Sequence, residues 1–216
     1  MTPTSPGPSS AARGRETRAP GTVTSAEDAV RARVALVPGA GGAKRHLMHP
    51  FNGRFHPIDH RALDGLIQGM VARIDVSAVD YVLGFPEGGS VPAYAFGRAV
   101  GLPVILASRL PLDLPGRVSF EQPHANLGTT HYVYGLEKGD RAMIVEDELT
   151  NGHTAVNAVR ALRRAGIEIT RIAALFAIDH PALWRRVAAA GVSIEVGVTL
   201  PPSFAPRALD ADTDVE

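Results

Sequence analysis

The residues best suited to chemistry stand together at Glu146-Asp147-Glu148-Leu149-Thr150-Asn151-Gly152-His153-Thr154. Two adjacent acids follow a short apolar run, 142–145, and precede small and polar residues around Gly152. Ala155, Ala158, Val159 and Leu162 then fall at helical spacing, so a helix begins near 151–154. A glycine-containing loop opening onto a helix N-terminus presents backbone N–H groups and the positive end of the dipole, which suits a phosphate. Acids one step earlier suit neutral hydroxyls lying beside that phosphate, so the combination points to a phosphorylated sugar. The plainer readings of the same acids are a solvated loop and, for Asp147, a helix cap.

Such a site needs strands to deliver it. The apolar run 142–145 reads as a strand covered on both faces. Residues 81–85 form a second strand, ending in Pro86-Glu87-Gly88-Gly89-Ser90, and a helix over 90–100 stops at Gly101 before a strand at 103–107. Earlier, 33–37 is a β-type run ended by a glycine-rich loop, and 46–57 is irregular. Asp59 is placed to cap a helix whose apolar stripe is Leu63, Leu66, Ile67, Met70, Val71 and Ile74. Residues 110–131 show no periodicity, which in a compact domain points either to a functional lid or to an element wrongly taken for a loop, and 132–135 reads as a return strand. A buried strand at 171–178, a helix from Asp179-His180-Pro181 through Trp184 and Val187, and a strand at 192–198 close the chain. This alternation predicts an α/β fold with a doubly wound, mainly parallel sheet. Ligands of such sheets bind at the carboxyl ends of strands, where Glu87, Glu146-Asp147 and Asp179-His180 all fall.

Composition bounds the rest. With 216 residues, 45% of them apolar, the chain is expected to hold one folded domain over 29–205, between a disordered N-terminal tail, 1–28, and an acidic tail, 206–216. Lys+Arg and Asp+Glu both number 22, so neither nucleic acid nor a membrane surface is an expected partner. The absence of cysteine excludes thiol catalysis, disulfides and thiolate metal sites, and accords with an expected cytoplasmic location. His46, His49, His56 and His60 have spacings that build metal sites on helices, but Pro50, Gly53 and Pro57 interrupt any helix there. No protein metal ligand is assigned.

On these residues the chain resembles the type I phosphoribosyltransferases. The stretch 144–154 is similar to their signature for phosphoribosyl pyrophosphate (PRPP): an apolar strand, two acids, a variable pair and a loop around a central glycine. The resemblance implies that Glu146 and Asp147 hold the ribose hydroxyls and that Thr150, Asn151, Gly152, His153 and Thr154 cradle the 5-phosphate. It likens Glu87, Gly88 and Gly89 to the pyrophosphate loop, 110–131 to the catalytic loop, and Arg109 to a basic residue meeting pyrophosphate. Leu149 to Ala155 is most similar to the xanthine enzymes, with the adenine enzymes next. The segment 51–59 then matches a hood over the base, with Phe51 and Asn52 as base contacts, and Phe51 and Phe55 divided between stacking and core packing. Asp179 and His180 correspond to a stretch that contacts the base, although His180 stands where a lysine is usual. Within the catalytic loop, Arg117, Glu121, Gln122, His124 and Asn126 replace the frequent Ser/Thr/Lys pattern, and Glu148 replaces an apolar residue.

The activity so implied is transfer of the 5-phosphoribosyl group from PRPP to a purine-like base by a homodimeric enzyme, with Mg²⁺ bound mainly through PRPP. Thr150 stands where some relatives place an acidic general base and cannot act as one. Two alternatives stay open: a PRPP-binding regulator without turnover, and a transferase with a non-purine acceptor.

Overall fold

A computed structural model of the protein describes residues 26–39, 45–53, 56–123 and 129–205. Most of the two expected tails, Phe55, His124 and Asn126 lie outside them. The centre is a five-stranded, all-parallel sheet in the order β4 (Val104–Leu106), β3 (Tyr81–Gly84), β7 (Arg141–Leu149), β8 (Glu168–Ile178), β9 (Ser193–Leu200). Alternation along β7 explains why both faces are covered. Ala142 and Ile144 enter one core with α4 (His153–Arg164) and α5 (Pro181–Ala189), while Met143 and Val145 enter another with α2 (His60–Val71) and α3 (Ser90–Val100). All four are fully buried, as the continuous apolar run requires. The doubly wound expectation therefore holds.

Asp59 does cap α2, its Oδ1 accepting from the N–H groups of Arg61 and Ala62 at 3.0 and 3.3 Å. The four buried residues of that helix are Leu63, Leu66, Ile67 and Met70, the expected stripe. A short helix, α1 (Ala26–Arg31), starts inside the segment expected to be tail, and its Val30 is buried in the α2–α3 core.

Three elements differ from expectation. The run at 33–37 is a strand, but it stands outside the central sheet. It is β1 (Ala35–Pro38), paired antiparallel with β2 (Arg45–Met48) in a separate hairpin, so part of the irregular 46–57 segment is strand. The unpatterned 110–131 stretch contains β5 (Val118–Gln122), paired antiparallel with β6 (Thr129–Val133). On β5 the pattern is regular, with Val118 and Phe120 in and Ser119 and Glu121 out, but His131 occupies the inward place opposite Phe120 and hides the alternation. Finally, β7 continues through the acids to Leu149, so Glu148 is a half-buried strand residue and not an exposed loop residue.

Candidate functional site

The site lies where the sheet changes direction. From β3 the chain crosses through α3 to β4 on one side, and from β7 it crosses through α4 to β8 on the other. The chain leaving β3 and the chain leaving β7 therefore turn to opposite sides here, the usual ligand position in such sheets. Gly84 pairs with Val145, which brings the segment 85–89 beside Glu146 and Asp147. The Pro86–Glu87 peptide within it is cis.

The approach of the two segments depends on glycine. A Cβ on Gly88 would lie 1.8 Å from Asp147 Oδ2, and one on Gly89 would lie 2.9 Å from Glu146 Oε2. No side chain fits at Gly88 without displacing the carboxylate. Arg109, just past β4, donates from Nη1 to Glu87 Oε1 at 3.0 Å, and both side chains are about half exposed. Glu146, by contrast, is buried, and burial first, then the neighbouring charges of Asp147 and Glu148, raise its carboxyl well above the usual glutamate range.

Behind β7 lies the loop to α4 that is expected from the sequence to hold the 5-phosphate. Gly152 is the N-cap, with φ +76°, and Asn151 Oδ1 accepts the His153 N–H at 3.1 Å. The helix thus begins at His153, and Asp147, six residues earlier, does not cap it. The floor of the loop is α5: a Cβ on Gly152 would meet Leu183 Cδ1 at 2.7 Å, and Arg186 donates to the Asn151 carbonyl.

The expected acceptor residues divide. Asp179 and His180 follow β8 directly. Asp179 Oδ1 accepts the Trp184 indole N–H at 2.9 Å, and His180 is the N-cap of α5, its Nδ1 accepting the Ala182 N–H at 3.3 Å. Phe51 is fully buried and stacks on Phe176 at 6.1 Å, so its ring is core and offers no free face to a base. Asn52 beside it is half-buried.

One participant has no signal in local sequence. His49, at the end of the β1–β2 hairpin, is buried with its ring 4.9 Å from Phe176, and its Nε2 lies 3.1 Å from Asp147 Oδ2. It belongs to the cluster of His46, His49, His56 and His60, and among the described residues no group of three or more metal-ligating side chains forms. On the far side of the Glu87 loop, Phe85 packs on Phe120 and His131. His131 is fully buried, stacked on Phe120, and joined through Nε2 to Gln122 at 2.9 Å. Burial, and secondarily the charge of Arg109, push its pKa down to about 4.

Comparison with known proteins agrees with this arrangement. No family model matches the chain. A hypoxanthine/guanine phosphoribosyltransferase of Methanosarcina acetivorans is 30% identical over 159 residues, covering 74% of this chain and 82% of that protein. The Methanosarcina barkeri protein of the same name is 29% identical over 128 residues, 59% of this chain and 67% of its own. In fold, the adenine phosphoribosyltransferase of Rhodothermus marinus superposes with a TM-score of 0.66 at 18% identity, over 81% of this chain and 98% of that one. The Giardia lamblia enzyme, solved with 9-deazaadenine, gives 0.65 at 18% identity, over 82% and 99%. A parallel sheet with its acids at the point of reversal, a glycine loop pressed against them and a relative of this identity and coverage lead to one assignment: the chain belongs to the type I phosphoribosyltransferase family.

Proposed function

We propose that this protein transfers the 5-phosphoribosyl group of PRPP to a purine base and releases pyrophosphate. The observation that carries the reading is the contact of Gly88 and Gly89 with Asp147 and Glu146, which makes one crevice of two loops suited to adjoining parts of one ligand. The 5-phosphate lies on residues 150–154 at the start of α4, where N–H groups and the helix dipole favour an anion. Glu146 and Asp147 receive the ribose hydroxyls. The pyrophosphate lies along 87–89, and Arg109 turns to it from Glu87.

In the reaction, the bond between the anomeric carbon and pyrophosphate breaks with its electron pair on pyrophosphate, a ring nitrogen of the base bonds to that carbon, and the proton of that nitrogen passes to solvent or to the departing pyrophosphate. Positive charge builds on the sugar and negative charge on the leaving group. The Asp147 carboxylate stabilises the first, with Glu146 beside it, and Arg109 with the loop N–H groups stabilises the second. Two adjacent acids, one with its ionised form disfavoured by burial and then by its neighbours' charges, suit a cation that arrives with the substrate. Mg²⁺ bound through PRPP would neutralise pyrophosphate charge there, next to Glu146 and Asp147. The base enters on the side of Asp179, His180 and Asn52. The working form is a homodimer, and a cytoplasmic location accords with a chain that has no cysteine.

Pyrophosphate release from PRPP, followed with hypoxanthine, guanine, adenine and xanthine, tests the assignment. Turnover with at least one is expected. Release only with a non-purine acceptor, or PRPP binding without release on any base, overturns it. Asp147→Ala is expected to lower kcat/KM for PRPP by at least about a hundredfold. Arg109→Ala should lower kcat by roughly tenfold to a hundredfold with little change in Tm, because its half-exposed ion pair is worth only about 0–1 kcal/mol to the fold.

A further inference from the structure

We propose that His49 is a positioning residue for the PRPP site: from the β1–β2 hairpin it holds the Asp147 carboxylate by Oδ2, so that Oδ1 faces the ribose. The proposal rests on the assignment of Asp147 to a ribose hydroxyl.

The hydrogen bonds around the ring leave one arrangement. Phe51 donates its backbone N–H to His49 Nδ1 at 3.3 Å, so Nδ1 is the acceptor nitrogen and the proton of the neutral ring sits on Nε2. That N–H points at Asp147 Oδ2, 3.1 Å away, and an ionised carboxylate only accepts. The His49 side chain is 1% exposed and that of Asp147 16%, so water competes little for the contact. The same Oδ2 is closed from the other side by Gly88, whose position admits no side chain. Oδ2 is therefore committed to the protein. Oδ1 makes no hydrogen bond among the described residues and is the oxygen left for a ligand hydroxyl.

The partners are 98 residues apart, one in the hairpin and one in the central sheet, so the bond also couples two separate parts of the fold. The His49 ring rests on Phe176 of β8, the strand that runs on to Asp179 and His180. A shift of the hairpin on this side is felt as a rotation of the ribose-binding carboxylate. The geometry thus gives the acceptor side of the crevice a direct hold on the donor side.

Two substitutions separate positioning from simple structural support. His49→Asn keeps an acceptor near the Nδ1 position for Phe51 but cannot reach Asp147. His49→Gln places an N–H close to the Nε2 position and restores that reach. For His49→Asn we expect kcat/KM for PRPP to fall about tenfold to a hundredfold, the scale of one charge-assisted hydrogen bond. The KM for the base should stay near the wild-type value, His49→Gln should recover most of the loss, and in an Asp147→Asn background His49→Asn should add nothing. Wild-type PRPP kinetics in His49→Asn, with Asp147→Ala inactive, would overturn the positioning role and leave the ribose assignment standing. Near-normal PRPP kinetics in Asp147→Ala would overturn the ribose assignment itself. Should both His49 variants misfold, nitrogen-15 spectra of the intact wild-type protein decide: an Nε2–H tautomer whose resonance moves on adding PRPP with Mg²⁺ supports the proposal, and an Nδ1–H tautomer or an unmoved resonance overturns it.

Discussion

Gly88→Ala would push a methyl group into the Asp147 carboxylate, because a Cβ there lies 1.8 Å from Oδ2. The clash falls in the crevice and not in either core, so a folded protein with at least a hundredfold weaker PRPP binding, on the order expected when a site is displaced by about 1 Å, should be seen by calorimetry alongside an unchanged circular dichroism spectrum. Glu146 predicts a pH effect. Its carboxyl is raised in the folded state, so the fold holds a proton that the unfolded chain releases from about pH 4.5. That contribution is fully present below the ordinary glutamate pKa and is lost as pH rises through the raised value. Ligand-free protein should therefore lose stability across that window in urea titrations, and Glu146→Gln should flatten the slope. The acids and the glycines around them were legible in sequence because their chemistry is local: an apolar run, two carboxylates, a loop, a helix. His49 was not, because its partner is 98 residues away and nothing next to it marks the contact. Phe51 stayed divided between stacking and core packing for a related reason, since an aromatic residue in a hood and one in a core have the same sequence appearance, and its full burial favours the core.

The β5–β6 hairpin shows how one side chain controls an element. Its foot is tied down: Ser108 and Tyr132 exchange backbone hydrogen bonds at 2.8 and 2.7 Å, and the Tyr134 hydroxyl accepts from the Leu112 N–H and donates to the Leu110 carbonyl. Farther along, Asn157 of α4 donates to the Glu121 carbonyl. Within this frame His131 is buried and neutral, its Nδ1 without a partner among the described residues. The unfolded ring takes up a proton below about pH 6.5 and the folded one only near 4, so the hairpin's stability is complete above 6.5 and is lost as pH falls through 4. Amide exchange in β5 and β6 should accelerate at pH 4 relative to pH 7, and His131→Phe, which keeps the stack on Phe120, should remove most of that acceleration. The helices were readable from their periodicity and the central strands from their continuous apolar runs. Of this hairpin only the end of β6 was, within the return strand expected at 132–135, because a histidine in an apolar place breaks the two-residue alternation on which strand recognition depends.

Across the whole molecule, the parallel order could be expected from alternating strands and helices, but the strand order, and hence the point of reversal, arises from pairings far apart in sequence. The proposed homodimer belongs to the same scale. Val91 and Tyr94 on α3, Leu106 on the edge strand β4, and Leu110, Leu112 and Leu114 beyond it are exposed, Tyr94 by 66%. Large apolar side chains concentrated there suit a subunit interface. Light scattering on a size-exclusion column should return twice the chain mass, and Tyr94→Asp with Leu110→Asp should return the monomer. A last consequence comes from α5, which carries the Asn151 loop on Leu183 and Arg186 and begins at His180. In the proposed function, one short helix is at once a wall near the base and a foundation for the phosphate. Changes of nucleobase preference made on this helix will therefore carry a correlated change in PRPP affinity, and evolution of a new acceptor has easier routes through Asn52 and its surroundings than through α5.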